Sequence, residues 1–285
     1  MELEFRQLDF DEFQELVKWA EAEGWDPGVN DAEIFYACFP NAFYGFFQQG
    51  KLIGGGSLVS YHGDFGFMGF FIVHPEYRGK GIGRSLWNKR RDTLLEMLNP
   101  GAPIGMDGVL AMQDFYTHGG FTSAFRDERR ARLGASFPMH PLIRKVTEAT
   151  KIAEILKFDL QCFGLNREEF MKLWIANPSA VTYYIVNEKE EVIGYTVLRK
   201  TSNGWKIGPL FANEFSLAEA LYTACLNEVP SEMVYLDIPC CNPDSLKLAE
   251  MYQTEFVFEC ARMYYGTPPS LPMEKVFGIT TFELG

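Results

Sequence analysis

The stretch FIVHPEYRGKGIGRSLWN, residues 71–88, decides the fold of the first half of this chain. A strand-like apolar run ends at Pro75, and an amphipathic helical pattern starts near Gly83. The turn between them combines basic side chains with alternate glycines and comprises Arg78, Gly79, Lys80, Gly81, Gly83 and Arg84. Glycine tolerates unusual dihedrals, and a helix N-terminus offers free N–H groups and partial positive charge to a phosphate. The stretch therefore predicts a loop that binds a pyrophosphate.

Three known phosphate-binding patterns compete for this loop. A Walker loop requires glycine at position 78 and lysine at position 84, and both positions are arginine. The dinucleotide fingerprint, started at Gly79, requires glycine at position 84. The third pattern, V-x-P-x-x-R-x-x-G-x-G before a helix, is matched in full by Val73, Pro75, Arg78, Gly81 and Gly83.

Length and composition indicate a globular protein of two domains. The chain has 285 residues, which suits two domains of about 140 residues each. A hydrophobic content of 47% is ample for packed cores. No apolar run is long enough to span a bilayer, and the start MELEFRQLDFDEF is too acidic for a targeting peptide, so we expect no membrane partner.

The charge is divided unevenly along the chain. The net charge of −12 argues against a nucleic-acid partner. Residues 1–76 hold 13 acidic and 3 basic side chains, a balance of −10, whereas residues 77–132 hold 10 basic and 6 acidic ones, a balance of +4. This division favours a polyanion at the loop and a cationic substrate nearby. The alternative is that the acidic residues only solvate the surface.

The cysteines and histidines do not form a metal-binding pattern. The six cysteines include no C-x-x-C pair, and the four histidines are scattered. Reduced thiols in a cytoplasmic or nuclear protein fit this distribution better than disulfides or zinc. We therefore expect no metal and a cytoplasmic location.

The order of predicted elements indicates an α/β protein built from two similar halves. The first half reads as α-α-β-β-β-α-β-α-β, with three strands over residues 42–75 and Arg90 and Arg91 on the outer face of the helix after the loop. The segment GASFPMHPLIRK separates the halves, so we place domains at 1–138 and 139–285. The second half repeats the same plan.

The loop pattern resembles that of the GCN5-related N-acetyltransferase (GNAT) superfamily, in which it holds the pyrophosphate of acetyl-coenzyme A. A second element agrees, because YTHGGF at residues 116–121 matches the family's Y-x-x-x-G-F. The resemblance implies that Tyr116 protonates the departing coenzyme thiolate, as a phenol of ordinary pKa near 10 can do. The alternative is that Tyr116 only packs its helix. The family's asparagine seven residues earlier is Val109 here.

The resemblance extends over nearly the whole chain. The segments AEAEGWDPGVNDAEIFYACFP, GMDGV, IGPLFAN and GITTFELG are similar to a two-domain subgroup with a YitH-type second domain. This similarity implies tandem GNAT folds, each a mixed, mostly antiparallel sheet flanked by helices. It also implies an acetyl-CoA-dependent N-acetyltransferase in which a small-molecule primary amine attacks the thioester directly. Whether the protein forms a homodimer is left open by the sequence. The alternative is a non-catalytic acyl-CoA-binding regulatory module.

The resemblance also assigns site residues. A strand amide among residues 71–73 would polarise the thioester oxygen. For the base we choose Asp107, in the strand beside the cleft, over Asp31, Glu23 and His74; the alternative for Asp107 is a carboxylate tied to backbone amides. The residues expected to bind the coenzyme are Phe71, Ile72, Val73, Arg78, Gly79, Lys80, Gly81, Ile82, Gly83 and Arg84.

The second half lacks both signatures. Its stretch WKIGPLFANEFSLAEALY stands where strand, loop and helix recur, but it has no arginine and no alternating glycines before the helix. Glu214 would repel a phosphate there, and Met251, aligned with Tyr116, cannot donate a proton. We therefore expect one coenzyme A per chain, with residues 145–285 contributing architecture or part of the acceptor cleft.

Overall fold

The computed structural model describes residues 3–147 and 151–285. Its first helix shows how the sequence sets an element's start, because Asp9 and Glu12 form a capping box in which each side chain accepts the other's backbone N–H at 2.9 Å. Phe13, Leu16 and Ala20 then recur at helical spacing and are buried.

The N-terminal half, residues 3–138, contains eight strands and four helices among its described residues. In chain order these are β1 (Glu4–Gln7), α1 (Phe10–Ala22), α2 (Asp31–Cys38), β2 (Phe43–Gln48), β3 (Lys51–Ser57), β4 (Val59–Tyr61), β5 (Phe65–Phe67), β6 (Ile72–Val73), α3 (Ile82–Met97), β7 (Ile104–Val109), α4 (Gln113–His118) and β8 (Phe121–Leu133).

The C-terminal half, residues 139–285, has a similar order, with three strands instead of five between its second and third helices and an additional strand at its end. Its elements are β9 (Arg144–Lys145), α5 (Ile152–Phe163), α6 (Glu168–Ile175), β10 (Ala180–Val186), β11 (Val192–Thr201), β12 (Gly204–Ala212), α7 (Phe215–Glu228), β13 (Met233–Pro239), α8 (Pro243–Met251), β14 (Glu255–Tyr265) and β15 (Val276–Gly278). The two halves therefore share one plan, a mixed α/β fold with mostly antiparallel strands.

The halves exchange strands. One sheet has the order β1-β2-β3-β6, and the other runs β4-β5-β7-β14-β8-β13-β12-β11-β10-β9, with β15 paired to β12. Strand β14 of the C-terminal half thus lies between β7 and β8, and strand β8 of the N-terminal half lies between β14 and β13. The division at 138/139 stays a prediction, and the second sheet runs continuously across it.

The largest core also joins the halves. Phe35 of α2 stacks on Trp174 of α6 with ring centroids 5.9 Å apart, and both side chains are fully buried. Because the apolar faces merge in this way, the halves stabilise each other. In the described part of the chain, no helix combines the length and the apolar character needed to cross a membrane.

Most predicted elements are confirmed. The differences concern one strand segment, the direction of one side chain and the elements that the sequence does not predict. The segment predicted as three strands forms five, because it breaks at Leu58 and again over residues 68–71. The prediction of an outward Arg90 is wrong, since that side chain is 0% exposed. The sequence does not predict helix α5 or the strands β1, β9 and β15.

Candidate active site

The loop that opens α3 has the backbone of an anion site. After a 3-10 turn over Pro75–Tyr77, both Gly79 and Gly81 are left-handed, with φ of 75° and 79°. Within the described chain, the N–H groups of residues 79–84 make no hydrogen bond to another residue. Since they surround a helix N-terminus, these N–H groups are available to a phosphate.

The basic side chains of the loop hold its shape. Arg78 donates from Nε to the Val73 carbonyl at 2.8 Å and pairs through Nη2 with Glu23. Lys80 donates to the Glu76 carbonyl at 2.8 Å. Arg78 and Lys80 remain exposed, so their charges are accessible from solvent.

Buried Arg90 maintains the break between β5 and β6. Its Nη2 donates to the carbonyls of Ser57 and Gly69, both at 2.7 Å, and Ser57 donates its N–H to Gly69 at 2.9 Å. Phe70 follows with a left-handed φ of 50°. Burial lowers the pKa of the Arg90 guanidinium to about 9, which leaves it charged at neutral pH. The charge helps to hold the break at residues 68–71 in place, and we call these residues the bulge.

The bulge leaves one edge of β6 open. The register pairs Gly54 with Val73 and Gly55 with Ile72, and His74 donates its N–H to the Ile53 carbonyl. In an antiparallel pair the residues alternate in direction, so Phe71 and Val73 turn their N–H groups away from β3. These groups face the gap towards β7, whose pairing with β5 ends at Gly105.

A cavity of about 360 Å³ occupies this gap. Both halves of the chain contribute to its walls, and the lining is rich in aromatic and sulfur-containing side chains. The lining residues are Glu23, Gly24, Trp25, Met68, Gly69, Phe70, Phe71, Met106, Asp107, Val109, Tyr116, Arg129, Phe258, Glu259, Cys260, Phe282 and Glu283. We call it the shared cavity.

Tyr116 lies in the wall of the shared cavity and packs against Trp87 behind it, with ring centroids 6.2 Å apart. Only 4% of the residue is exposed. Burial raises its pKa to about 12, and the Arg90 charge opposes that rise. The phenol is therefore protonated at neutral pH and available as a proton donor.

Asp107 lines the same cavity, but an arginine occupies its carboxylate. Arg262 of β14 donates from Nε and Nη2 to the two carboxylate oxygens at 2.6 and 2.8 Å. Asp127 lies beside the pair, and its buried oxygens accept no hydrogen bond from a described residue. Burial, then the Asp107 charge, raises the pKa of Asp127 well above its ordinary value, which favours a neutral acid. Burial also raises the pKa of Asp107, and Arg262 opposes this.

The other base candidates are distributed differently. Glu23 lines the shared cavity and pairs with Arg78. Asp31 is fully buried, pairs with Arg199 at 3.2 Å and is not part of the cavity wall. His74 is also absent from the wall and contacts Trp19, with ring centroids 5.1 Å apart. The structure thus brings together Tyr116, Asp107, Glu23 and Phe71.

The sequence leaves open whether the C-terminal half contributes to the acceptor cleft, and it does not indicate which residues would do so. Phe258 and Cys260 reach the shared cavity on exchanged strand β14, and Glu283 reaches it on residues 279–285, which we call the crossing segment. No short motif marks these residues, because strand exchange places them there. Among the described residues, no group of three His, Cys, Asp or Glu side chains is arranged to hold a metal ion.

The C-terminal half has an equivalent gap, and β15 fills it. The segment IGPLFA aligns with MGFFIV, so Gly208 corresponds to Gly69. There β15 pairs with β12 through Leu210↔Gly278 and Phe211↔Val276. The side of β12 that would correspond to the open edge of β6 is therefore already paired.

Comparisons with known proteins agree with this geometry. The family model of the acetyltransferase (GNAT) family matches residues 5–121, and that of an acetyltransferase (GNAT) domain matches residues 155–278. Holothin acyltransferase of a Pseudoalteromonas species is 27% identical over 98% of this chain and 94% of its own length. An uncharacterized protein of Caenorhabditis elegans is 26% identical over 53% of this chain and 51% of its own length.

Solved structures share the fold along the whole chain. A Pyrococcus horikoshii protein named as an acetyltransferase superposes with a TM-score of 0.84 at 19% identity, covering 99% of this chain and 96% of its own. A tandem GNAT protein from the clavulanic acid pathway has a TM-score of 0.66 at 15% identity, with coverages of 94% and 100%. Two GNAT matches and a similar two-domain arrangement thus coincide, and the chain belongs to the GNAT superfamily as a tandem-domain acyltransferase.

Proposed function

We propose that the protein transfers an acetyl group from acetyl-coenzyme A to the primary amine of a cationic small molecule. The observation that carries the proposal is the continuity of the site. Phe71, beside the open edge of β6, and the phenol of Tyr116 line the shared cavity, and the unbonded amides of residues 79–84 follow β6 along the chain.

The residues present fit the coenzyme. The amides of the loop would bind the pyrophosphate, and Arg78, Lys80 and Arg84 would add positive charge. The open edge of β6 offers backbone groups to the amide-containing arm of the coenzyme, as a missing strand would. That arm would bring the thioester between Phe71 and Tyr116.

Two residues of this chain would assist the chemistry. The N–H of Phe71 would donate to the thioester oxygen as negative charge develops on it. Tyr116, whose pKa of about 12 keeps it protonated, would give its proton to the sulfur as the carbon–sulfur bond breaks. A proton from the attacking nitrogen would then restore the phenol.

The charge of the cavity supports a cationic acceptor. Its wall has four carboxylates, Glu23, Asp107, Glu259 and Glu283, against the single guanidinium of Arg129. Arginines outside the wall pair with Glu23, Asp107 and Glu259, so Glu283 is the carboxylate of the wall that would attract an ammonium. All six cysteines are unpaired thiols, which suits the cytoplasm.

Calorimetry followed by an acceptor screen tests the proposal. Titration of the whole chain with acetyl-CoA should return a stoichiometry near one, because β15 fills the second gap. A library of primary amines is then assayed for thiol release, with longer acyl-CoA donors in parallel because one relative is an acyltransferase of holothin. Two equivalent coenzyme sites, or no coenzyme binding, would contradict the proposal.

A further inference from the structure

We infer that Glu283 binds the acceptor's ammonium group and takes its proton, and that the acceptor has an aromatic or other apolar body. The inference rests on the proposed function and specifies its acceptor side. Its basis is the position, burial and lack of partners of one carboxylate in the shared cavity.

The crossing segment is fixed by its backbone. Ser57 donates its hydroxyl to the Glu283 carbonyl at 3.2 Å, and Tyr61 donates to the Leu284 carbonyl at 2.8 Å. Gly69 makes room for the segment, because a Cβ there would lie 2.0 Å from the Glu283 carbonyl oxygen. The segment therefore lies against the same bulge that opens the edge of β6.

The Glu283 side chain has no partner of its own. The residue is only 4% exposed, and its carboxylate makes neither an ion pair nor a hydrogen bond with the residues that the structure describes. Arg129, Arg199, Lys206 and Asp31 are the charged groups around it. The two arginines have their own carboxylates, Asp237 for Arg129 and Asp31 for Arg199, and Lys206 donates to backbone carbonyls.

The other carboxylates of the cavity wall are each held by an arginine. Arg78 pairs with Glu23, Arg262 binds both oxygens of Asp107, and Arg126 pairs with Glu259 at 3.1 Å. A carboxylate whose oxygens already accept charge-assisted hydrogen bonds is a weaker base and a weaker partner for a second cation. Glu283 is therefore the carboxylate best able to receive an ammonium.

Aromatic side chains form much of the wall near Glu283, and the Arg129 guanidinium lies 4.7 Å from the ring centroid of Phe258. Trp25, Phe258 and Phe282 line the cavity with it, and the rings of Phe258 and Phe282 lie 5.7 Å apart. Such walls favour an amine with an apolar body over a polyamine or an amino sugar, whose polar groups would lose water without replacement.

The proton balance of the step is complete. Glu283 takes one proton from the ammonium, and the freed nitrogen attacks the thioester carbon. The carbon–nitrogen bond forms, the carbon–sulfur bond breaks, and the sulfur takes the proton of Tyr116. A second proton from nitrogen restores the phenol, and Glu283 releases its proton to solvent, so one proton is produced per amide.

Binding of 2-phenylethylamine to the whole protein tests the first part. Calorimetry should show that Glu283→Gln weakens this amine at least tenfold and leaves the uncharged analogue 2-phenylethanol, and coenzyme A, within about twofold. Glu255→Gln, an exposed change elsewhere on β14, is the matched control. Unchanged amine affinity in Glu283→Gln, or no binding of the amine to the unaltered protein, would overturn the inference.

Turnover with acetyl-CoA tests the proton transfer. Glu283→Gln should lower kcat/KM for 2-phenylethylamine by roughly 10²- to 10⁴-fold, and by less than tenfold for 4-ethylaniline, which is uncharged at neutral pH. A larger loss in Asp107→Asn than in Glu283→Gln would identify Asp107 as the base instead, and equal losses for both amines in Glu283→Gln would show that Glu283 does not deprotonate the ammonium. Coenzyme binding is measured separately, so failure here leaves the proposed function standing.

Discussion

A bulge occurs at the corresponding position of both halves, at Gly69 and at Gly208 where the β11–β12 register shifts; in the described part of the chain it borders an open gap at Gly69 alone. At Gly69 the strand breaks, β6 separates from β7, and the shared cavity fills the space. At Gly208 the strand keeps its course, and β15 pairs along it. Each bulge carbonyl is held by a buried side chain, Arg90 at Gly69 and Trp174 at Gly208, the latter at 2.9 Å.

The comparison shows how one scaffold can support either a site or a core. A sheet edge must satisfy its N–H and C=O groups, with a strand of the same chain or with a ligand. The C-terminal half uses β15 for this, and Asn242 and Asp237 secure that strand through the Val276 carbonyl and the Ile279 N–H, both at 2.9 Å. In the N-terminal half, no described strand pairs with the corresponding edge of β6.

The largest expected effect is on coenzyme binding. Gly81 is left-handed, so Gly81→Val should move the loop amides off the phosphates. Loss of two charge-assisted hydrogen bonds amounts to about 3–6 kcal/mol, or roughly 10²- to 10⁴-fold in affinity. Ser216→Val, exposed at the corresponding start of α7, is the control and should bind acetyl-CoA normally in calorimetry. Normal affinity in both variants would show that the loop does not bind the coenzyme.

The next effect concerns the proton donor Tyr116 of the N-terminal half and the corresponding Met251 of the C-terminal half, which cannot donate a proton. Tyr116→Phe should lower kcat by roughly 10²- to 10⁴-fold without changing coenzyme affinity, and Met251→Leu should change neither. Because burial raises the pKa of Tyr116 to about 12, its ionisation should cause no fall in kcat below about pH 10. An unaltered kcat for the phenylalanine variant at saturating substrates would show that another group protonates the thiolate.

The sequence predicts the elements of both halves because their patterns are local. The strands FTSAFRDERRARL and MVYLDIP are predicted at the bounds observed for β8 and β13. The loop is equally readable, since glycine spacing before a helix is a local property. The sequence wrongly places Arg90 on the outer face of α3, because a charged side chain usually contacts solvent. In the structure its guanidinium is buried and donates to two carbonyls.

The rest of the site depends on long-range pairing. Strand exchange brings Arg262 to Asp107 across 155 positions of sequence, and Ser57 meets the Glu283 carbonyl across 226. No periodicity encodes such contacts. From the sequence, Asp107 is a carboxylate beside a cleft, either the base or tied to backbone amides; the structure adds the arginine that binds it, and it adds Glu283.

A smaller effect on stability should come from filling either bulge. A Cβ at Gly69 would lie 2.0 Å from the Glu283 carbonyl oxygen, and one at Gly208 would lie 2.4 Å from that of Thr280. Both contacts are with backbone of the crossing segment, so Gly69→Ala and Gly208→Ala should each lower the free energy of unfolding by about 1–3 kcal/mol. Urea denaturation measures this, and wild-type midpoints would show that the crossing segment is not packed there.

The smallest expected effect is on the pH dependence of stability, and it comes from the buried amine of Lys206 on β12. Lys206 is 2% exposed and donates to the carbonyls of Trp25 and Asp26 at 3.2 and 2.6 Å. Burial, and then the charges of Arg129 and Arg199, lower its pKa to about 7. Between that value and about 10.4, the pKa of an unperturbed lysine, the unfolded chain binds the extra proton. This group therefore makes stability rise as pH rises.

Removing the amine should remove that rise. In Lys206→Met the free energy of unfolding should increase less between pH 8 and 9.5 than in the unaltered protein, by about 1 kcal/mol per pH unit, because one pKa unit corresponds to about 1.4 kcal/mol. The comparison uses the slope with pH, since the variant also leaves two carbonyls without a donor. Lys200→Met, an exposed change on neighbouring β11, should keep the original slope. Equal slopes in all three proteins would mean that Lys206 keeps an ordinary pKa and that water reaches it between the halves.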